Sequence, residues 1–289
     1  MARPSRACYW ASILEALADP QTLLTLVAAL LVAGAATGFL AGLFGVGGGA
    51  ISVPVFYEIF GILGYKPEVA MPLAVGTSLA VIVPTSIMSA RAHYAKGTVD
   101  LALLRLWALP ILAGVMLGAV IARYADPVVF QVVFIGVATV NAAKLITGGK
   151  GWRVREQPSS KGIMRLYGAG IGLASSLMGI GGGALTNLVM TLHGEPIHRA
   201  VSTAAGVGVL IAIPGTLGYM AAGYGRPDLP PDAIGFVSLA AFALTIPTSL
   251  LTARLGVALA HALPRRTLET SFGIFLLLVC ARFVWDILS

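Results

Sequence analysis

A five-residue stretch occurs twice in this chain, and each copy interrupts a long apolar run that carries no charge. The copies are Gly45-Val46-Gly47-Gly48-Gly49, inside residues 20–57, and Gly179-Ile180-Gly181-Gly182-Gly183, inside residues 166–192. Without the glycines each run reads as a membrane helix. Glycine costs roughly 1 kcal/mol relative to alanine in a helix interior, so several of them in five positions predict local unwinding. In hydrocarbon, an unsatisfied backbone group costs several kcal/mol, and a break is tolerated only where it is buried in protein or lines a hydrated cavity. The two breaks are therefore expected to form a substrate site.

Composition agrees with a membrane setting. Hydrophobic residues make up 57% of the 289, charged residues only 11%, and mean hydropathy is +0.90. Soluble domains carry about 25% charged residues. The net charge of +7 does not mark a nucleic-acid binder, because the basic residues are scattered between apolar runs rather than gathered on one face. Cys8 and Cys280 lie near opposite ends, which gives neither a disulfide framework nor a metal site. Residues 1–20, with Arg3, Arg6, Glu15 and Asp19, read as an extramembrane arm and not as a cleaved signal.

The stretches free of Asp, Glu, Lys, Arg and His are 20–57, 69–90, 106–122, 127–143, 166–192, 200–225, 233–253 and a weaker 270–281. A spanning helix needs about 20 residues. The expected fold is an all-α polytopic membrane protein with two homologous halves of about four spans each. The count rises from eight to ten helices if the short pieces beyond the breaks also span. The first run splits into a helix ending near Phe44 and a piece from Ala50 to about Ile62. The second splits into about Gly162–Met178 and Ala184–Leu192. The halves align in order: Gly34, Gly38 and Gly45 with Gly168, Gly172 and Gly179 at an offset of 134; Ala70, Gly76 and Pro84 with Ala200, Gly206 and Pro214 at 130; Pro110 and Gly136 with Pro247 and Gly273 at 137. The expected units are transmembrane repeat 1 over 21–147, a basic cytoplasmic linker over 148–165 and transmembrane repeat 2 over 166–289. With eight spans the termini share the linker's side; with ten they lie opposite it. In either count the linker face carries 13 Lys+Arg against 6, so the positive-inside rule places the linker in the cytoplasm and leaves the termini open.

An unwound turn that leads into a helix leaves backbone N–H groups pointing along the axis at the positive end of the helix dipole, which suits an anion. The candidate substrate residues are Gly47, Gly48 and Gly49 with Ser52, and Gly181, Gly182 and Gly183 with Thr186 and Asn187. Thr77 and Ser78 add hydroxyls on an apolar helix. Pro84 and Pro214 can loosen their helices, and Arg91 and His93 sit where a vestibule or gate would be. Each has a plainer reading: GxGGG as a close-packing motif, hydroxyls bonded within their own helix, and end charges that snorkel. Gly45-x-Gly47-x-x-Ala50 also fits a loose dinucleotide pattern, but no βαβ unit surrounds it. No acidic residue falls inside a predicted span, which argues against a cation carrier. His93, His193, His198 and His261 lack ligand spacing, and there is no GxSxG. No metal, cofactor, nucleic-acid partner or catalytic activity is expected.

Gly38-Phe39-Leu40-Ala41-Gly42-Leu43-Phe44-Gly45-Val46-Gly47-Gly48-Gly49 with Pro54, its second copy from Gly168 to Gly183, and Ala74-x-Gly76-Thr77-Ser78 resemble the TauE/SafE sulfite-exporter family, also called the toluene sulfonate uptake permease family. The similarity covers about 34–286. Val207-Gly208 stands where Thr77-Ser78 stands in the first half, so the two half-sites are expected to be unequal. The resemblance implies a multi-pass transporter in the bacterial inner membrane for small sulfur-containing anions such as sulfite, sulfonates or sulfoacetate, working by alternating access. Proton coupling and a homodimer are compatible with it. A gated anion channel, or a membrane subunit of a sulfur-metabolism assembly, is the alternative.

Overall fold

A computed structural model describes residues 20–44, 49–148 and 160–289. Most of the arm at 1–20, the linker segment 149–159 and the stretch Gly45–Gly48 lie outside the described residues, and with them Gly47 and Gly48. Ten helices are described: α1 (Pro20–Phe44), α2 (Gly49–Ile62), α3 (Pro67–Ala95), α4 (Leu101–Tyr124), α5 (Pro127–Thr147), α6 (Lys161–Met178), α7 (Gly183–Leu192), α8 (Ile197–Ala222), α9 (Leu239–Ala262) and α10 (Arg265–Leu288). A small antiparallel hairpin of β1 (Ala233–Ile234) and β2 (Val237–Ser238) precedes α9. The apolar run 233–253 is thus not one span, because its first six residues form this hairpin. The weak segment 270–281 extends in both directions into the 24-residue α10.

Six described helices, α3, α4, α5, α8, α9 and α10, have the length and apolarity to cross a membrane. They are apolar around their whole circumference. In α4, Trp107, Ile111 and Val115 are fully buried while Leu109, Leu117 and Val120 on the other side are more than half exposed. In water such a surface is a liability; in lipid it is the required one. The chain is a multi-pass membrane protein.

Contacts fix the helix directions. α3 and α8 run antiparallel, with Leu79 against Gly215, Ser86 against Gly208 and His93 against Ser202. α5 and α10 are antiparallel too, pairing Gln131 with Asp286, Phe134 with Phe283 and Ile146 with Gly273. α1 runs parallel to α9, where Gly34 packs on Thr245, Gly38 on Ser249 and Gly256 on Leu43. α6 runs parallel to α4, with Gly168 on Trp107, Gly172 on Ile111 and Gly118 on Ser176. Close packing through small residues is how helices associate in lipid, where burial gives no net hydrophobic drive. The result is two faces. The end face carries Pro20 and Leu288; the linker face carries Thr147 and Lys161.

α2 begins at Gly49, where an added Cβ would lie 2.6 Å from the Gly179 carbonyl oxygen and 2.9 Å from Ile82 Cδ1, at the middle of the bundle. It descends to the end face, where the Tyr57 hydroxyl donates to Asp286 Oδ2 (2.6 Å) and Arg282 Nε pairs with Glu58 Oε1 (3.0 Å). α7 rises from Gly183, near Ile82 and Gly208, to the linker face at Leu192. At about 1.5 Å per residue, the 14 residues of α2 and the 10 of α7 fall well short of a hydrocarbon core about 30 Å thick. Each pair, α1–α2 and α6–α7, therefore enters and leaves on one face, and Gly49 at the start of α2 meets Gly179 and Ile180 of the other pair.

Candidate functional site

Around the second break the backbone is fully described. α6 stops at Met178; Gly179 (φ 63°) and Gly182 (φ 72°) are both left-handed, and α7 starts at Gly183. Positive φ twice in four residues is accessible to glycine and strained for other residues, which is why the chain can reverse here. The Gly179 N–H closes on Ser176 O (3.4 Å), and Thr186 N–H donates to Gly182 O (2.9 Å). No side chain caps α7, so its first-turn N–H groups, unpartnered in any helix, face the break.

Beside this turn lies a cavity of about 110 Å³ where α3 and α8 cross, lined by Ile82, Thr85, Ser86 and Ser89 of α3, Gly181, Gly183 and Asn187, and Val201, Ala204, Ala205 and Gly208 of α8. It runs from mid-depth toward the linker face, with Ser89 exposed at that end. No charged side chain lines it. Thr85 and Ser86 spend their protons on Ile82 O (2.9 Å) and Val83 O (3.1 Å) and can still accept. Among the buried side-chain polar atoms of the described residues without a hydrogen-bond partner, Ser175 Oγ, Thr186 Oγ1 and Asn187 Oδ1 lie beside this break. A buried polar atom without a partner costs about 1–3 kcal/mol. The cavity and the break beside it present neutral hydroxyl, amide and backbone groups.

The other residues singled out from sequence fall in different places. Gly49, Ser52, Thr77 and Ser78 are buried and belong to the half of the bundle nearer the end face. Ser52 has a partner of its own. Thr77 Oγ1 accepts from the Ser238 N–H (3.0 Å), and the Ser78 hydroxyl donates to the Gly179 carbonyl (2.8 Å), so Ser78 ties α3 to the break without lining the cavity. Pro84 and Pro214 lie within the unbroken helices α3 and α8. His93 is one turn above Ser89, its Nδ1 3.1 Å from Ser202 Oγ. The Ser202 hydroxyl also lies 2.8 Å from His198 O. Arg91 is exposed and does not line the cavity.

Lys144 is the residue that sequence reasoning passed over. It lies in α5, half-buried, four residues before the basic linker, and its Nζ donates to Thr191 Oγ1 of α7. The Thr191 hydroxyl donates in turn to the carbonyl of Asn187 (2.5 Å). The α5–α7 register that joins them is invisible in a single sequence. A cation held by a neutral hydroxyl, one turn from a cavity residue, is expected to favour anions there. Lys144→Met should raise the half-saturating anion concentration about tenfold, the size of one charge-assisted interaction, with Lys144→Arg close to wild type. Thr191→Val separates tether from charge: if it matches Lys144→Met, the charge is not what matters.

The profile of the family described as sulfite exporter TauE/SafE matches residues 30–283. The chain belongs to the TauE/SafE family. Relatives include a "Probable membrane transporter protein" of Haemophilus influenzae, 32% identical over 88% of this chain and 97% of that one. "Probable membrane transporter protein YunE" of Bacillus subtilis is 26% identical over 89% and 97%. "Probable membrane transporter protein MJ0441" of Methanocaldococcus jannaschii is 28% identical over 69% and 74%. No solved structure matches. This TauE/SafE protein is a membrane transporter, and the family match covers the second break and the residues that line the cavity.

Proposed function

We propose that this TauE/SafE protein is a secondary transporter of small sulfur-containing anions, sulfite, sulfonate or sulfoacetate, across the bacterial inner membrane, and that the paired glycine breaks form its anion site. The observation that carries this reading is the α3–α8 cavity, which Asn187 lines with an unpartnered Oδ1, beside a break whose adjoining turns hold the unpartnered Ser175 and Thr186 hydroxyls. Gly47, Gly48 and Gly49 with Ser52 supply the matching half-site from the first break. Thr77 and Ser78 become available as the halves move, and Arg91 and His93 flank the linker-side mouth. Pro84 and Pro214 soften the crossing helices between them.

The two halves, 21–147 and 166–289, are read as an inverted repeat. Helices that are equivalent by the sequence offsets pair alike: α1 with α9 as α6 with α4, both parallel, while α3–α8 and α5–α10 are antiparallel self-pairs. A two-fold axis lying perpendicular to the helices generates that pattern, and inverted repeats with broken helices at mid-depth are how many secondary transporters alternate access. The basic segment 148–165 and the linker face are cytoplasmic on this reading, with Arg91, Lys96, Arg105 and Arg199 adding to its positive charge; both termini lie outside. The lipid bilayer and the anion are its partners, with protons as the coupling ion and a homodimer as the assembly consistent with the same plan.

Uptake of labelled sulfite, sulfoacetate, sulfate and acetate into proteoliposomes tests it. Saturable uptake of a sulfur oxyanion, accelerated by the same anion on the opposite side, is the expected result. Uptake no faster than in protein-free vesicles, or single-channel currents, would refute the transporter reading. A reporter fused after Ser289 should score as periplasmic.

A further inference from the structure

The two connections that the repeat makes equivalent differ in length and in what they do. Residues 96–100 join α3 to α4 on the linker face, whereas 223–238 join α8 to α9 on the end face and fold inward as the β1–β2 hairpin. Its tip is Gly235 (φ 56°) and Phe236, which is fully buried. The Phe236 N–H donates to Tyr219 O (3.1 Å), its ring packs edge-on to the Tyr219 ring at 6.5 Å between centroids, and its carbonyl presses on Gly76, where a side chain would collide. The neighbouring Ser238 N–H occupies Thr77 Oγ1 (3.0 Å).

Tyr219 has a telling position. At the offset of 130 it corresponds to Ser89, which is exposed at the open mouth of the cavity, and Thr216 likewise corresponds to Ser86. The space that is open on the linker side is filled on the end side by the buried Tyr219 ring, whose hydroxyl donates to Ser176 O (2.9 Å). Outside it, the Arg226 guanidinium lies 5.3 Å from the centroid of the Phe236 ring and pairs with Asp228 (2.8 Å). That pairing holds the Asp228 carboxyl below its usual range.

We infer that Tyr219 and the Gly235–Phe236 tip close the second mouth of the same pathway, on the end face, and that the tip leaves Gly76 and Thr77 when substrate passes there. This rests on the transporter reading of the cavity. The contacts suit a gate: two neutral hydrogen bonds, the Phe236 ring between Tyr219 and Arg226, and the packing of Gly235 on Met220 hold the tip, and because Arg226 keeps its Asp228 partner, breaking them strands no buried charge. Withdrawal would also free the Thr77 hydroxyl for the substrate.

Thiol accessibility tests it without needing a substrate. With Cys8 and Cys280 replaced by alanine, Ser89→Cys reports the linker-side cavity. Val75→Cys, fully buried beside Gly179, reports the closed side. A charged, membrane-impermeant thiol reagent is expected to label Ser89→Cys from the linker face only. It should reach Val75→Cys from the end face at least tenfold faster once Phe236→Gly or Tyr219→Ala is added. Unchanged Ser89→Cys labelling in those backgrounds shows that the fold is kept. If Val75→Cys stays unreactive from the end face in both variants, or reacts only from the linker face, the gate is wrong. Absence of sulfite uptake would count against the transporter reading and leave this result standing.

Discussion

Gly182→Leu is expected to abolish anion uptake, by at least 100-fold, while the protein remains folded in the membrane. Gly182 holds φ at 72°, and a residue with a Cβ loses roughly 1–2 kcal/mol in that region. Its Cβ would also collide with Ile211 Cδ1, with Val207 Cγ1 at 3.1 Å and Ser175 Oγ at 3.5 Å behind it. Gly182 is the residue before α7, and its carbonyl receives the Thr186 N–H. Any relief of the clash therefore moves Thr186 and Asn187 together, and a displacement of about 1 Å in a positioned site can cost about 100-fold. Gly181→Ala is the control of scale. Gly181 is outside the positive-φ set, and its added Cβ meets the Ile82 Cγ2 methyl at 2.8 Å, with Gly208 Cα in ordinary contact at 3.8 Å. Its loss is expected to stay within about tenfold. Protein content in the membrane and thermal unfolding in detergent separate lost function from lost fold. Uptake by Gly182→Leu with ordinary half-saturation and maximal rate would remove the break from the site.

Much of this arrangement is legible in the residues. Four glycines in five positions inside a charge-free run can hardly be anything but an interruption, and α6 and α7 stop and start within a residue of the expected places. The small residues of α4, α6 and α9 also announce close crossings. Long-range register is not legible. Thr77 and Ser78 look like free hydroxyls on an apolar helix, and only the fold shows the Ser238 N–H and the Gly179 carbonyl already paired with them. Lys144 looks like one more linker charge until α5 is laid beside α7. The hairpin is hidden because Ala233–Ser238 is as apolar as the helix that follows. The cue was Pro230-Pro231 with Asp232, which accepts from both the Ser238 hydroxyl (2.6 Å) and the Ala240 N–H (3.0 Å) and so fixes the turn into α9. The faces were ambiguous for a related reason. A charge count weighs loops without knowing whether a short helix goes on or turns back, and α2 turns back because Gly49 starts it at mid-depth and Tyr57 anchors its far end to Asp286.

Thr186→Val should move stability and binding in opposite directions. Thr186 is fully buried, and its Oγ1 has no partner. Valine keeps the branched shape and removes the unsatisfied hydroxyl, which by itself costs about 1–3 kcal/mol. The substrate-free protein is therefore expected to unfold about 2 °C or more higher, the shift that about 1 kcal/mol produces in a chain of this size. If the hydroxyl donates to an anion, a hydrogen bond to a charged group worth about 1.5–3 kcal/mol is lost with it, and anion affinity should fall by about tenfold or more. The stabilisation that saturating anion confers on the wild type should shrink accordingly. Asn187→Leu is expected to act in the same sense, less cleanly because the side chain is only partly buried. Purely structural residues behave otherwise. A hydroxyl that serves packing alone leaves affinity unchanged when removed, and one that holds a partner lowers stability. Only a group kept unsatisfied in the empty protein for the sake of a ligand gives a more stable protein that binds less well, so thermal unfolding of Thr186→Val with and without sulfite decides whether the second break is a site.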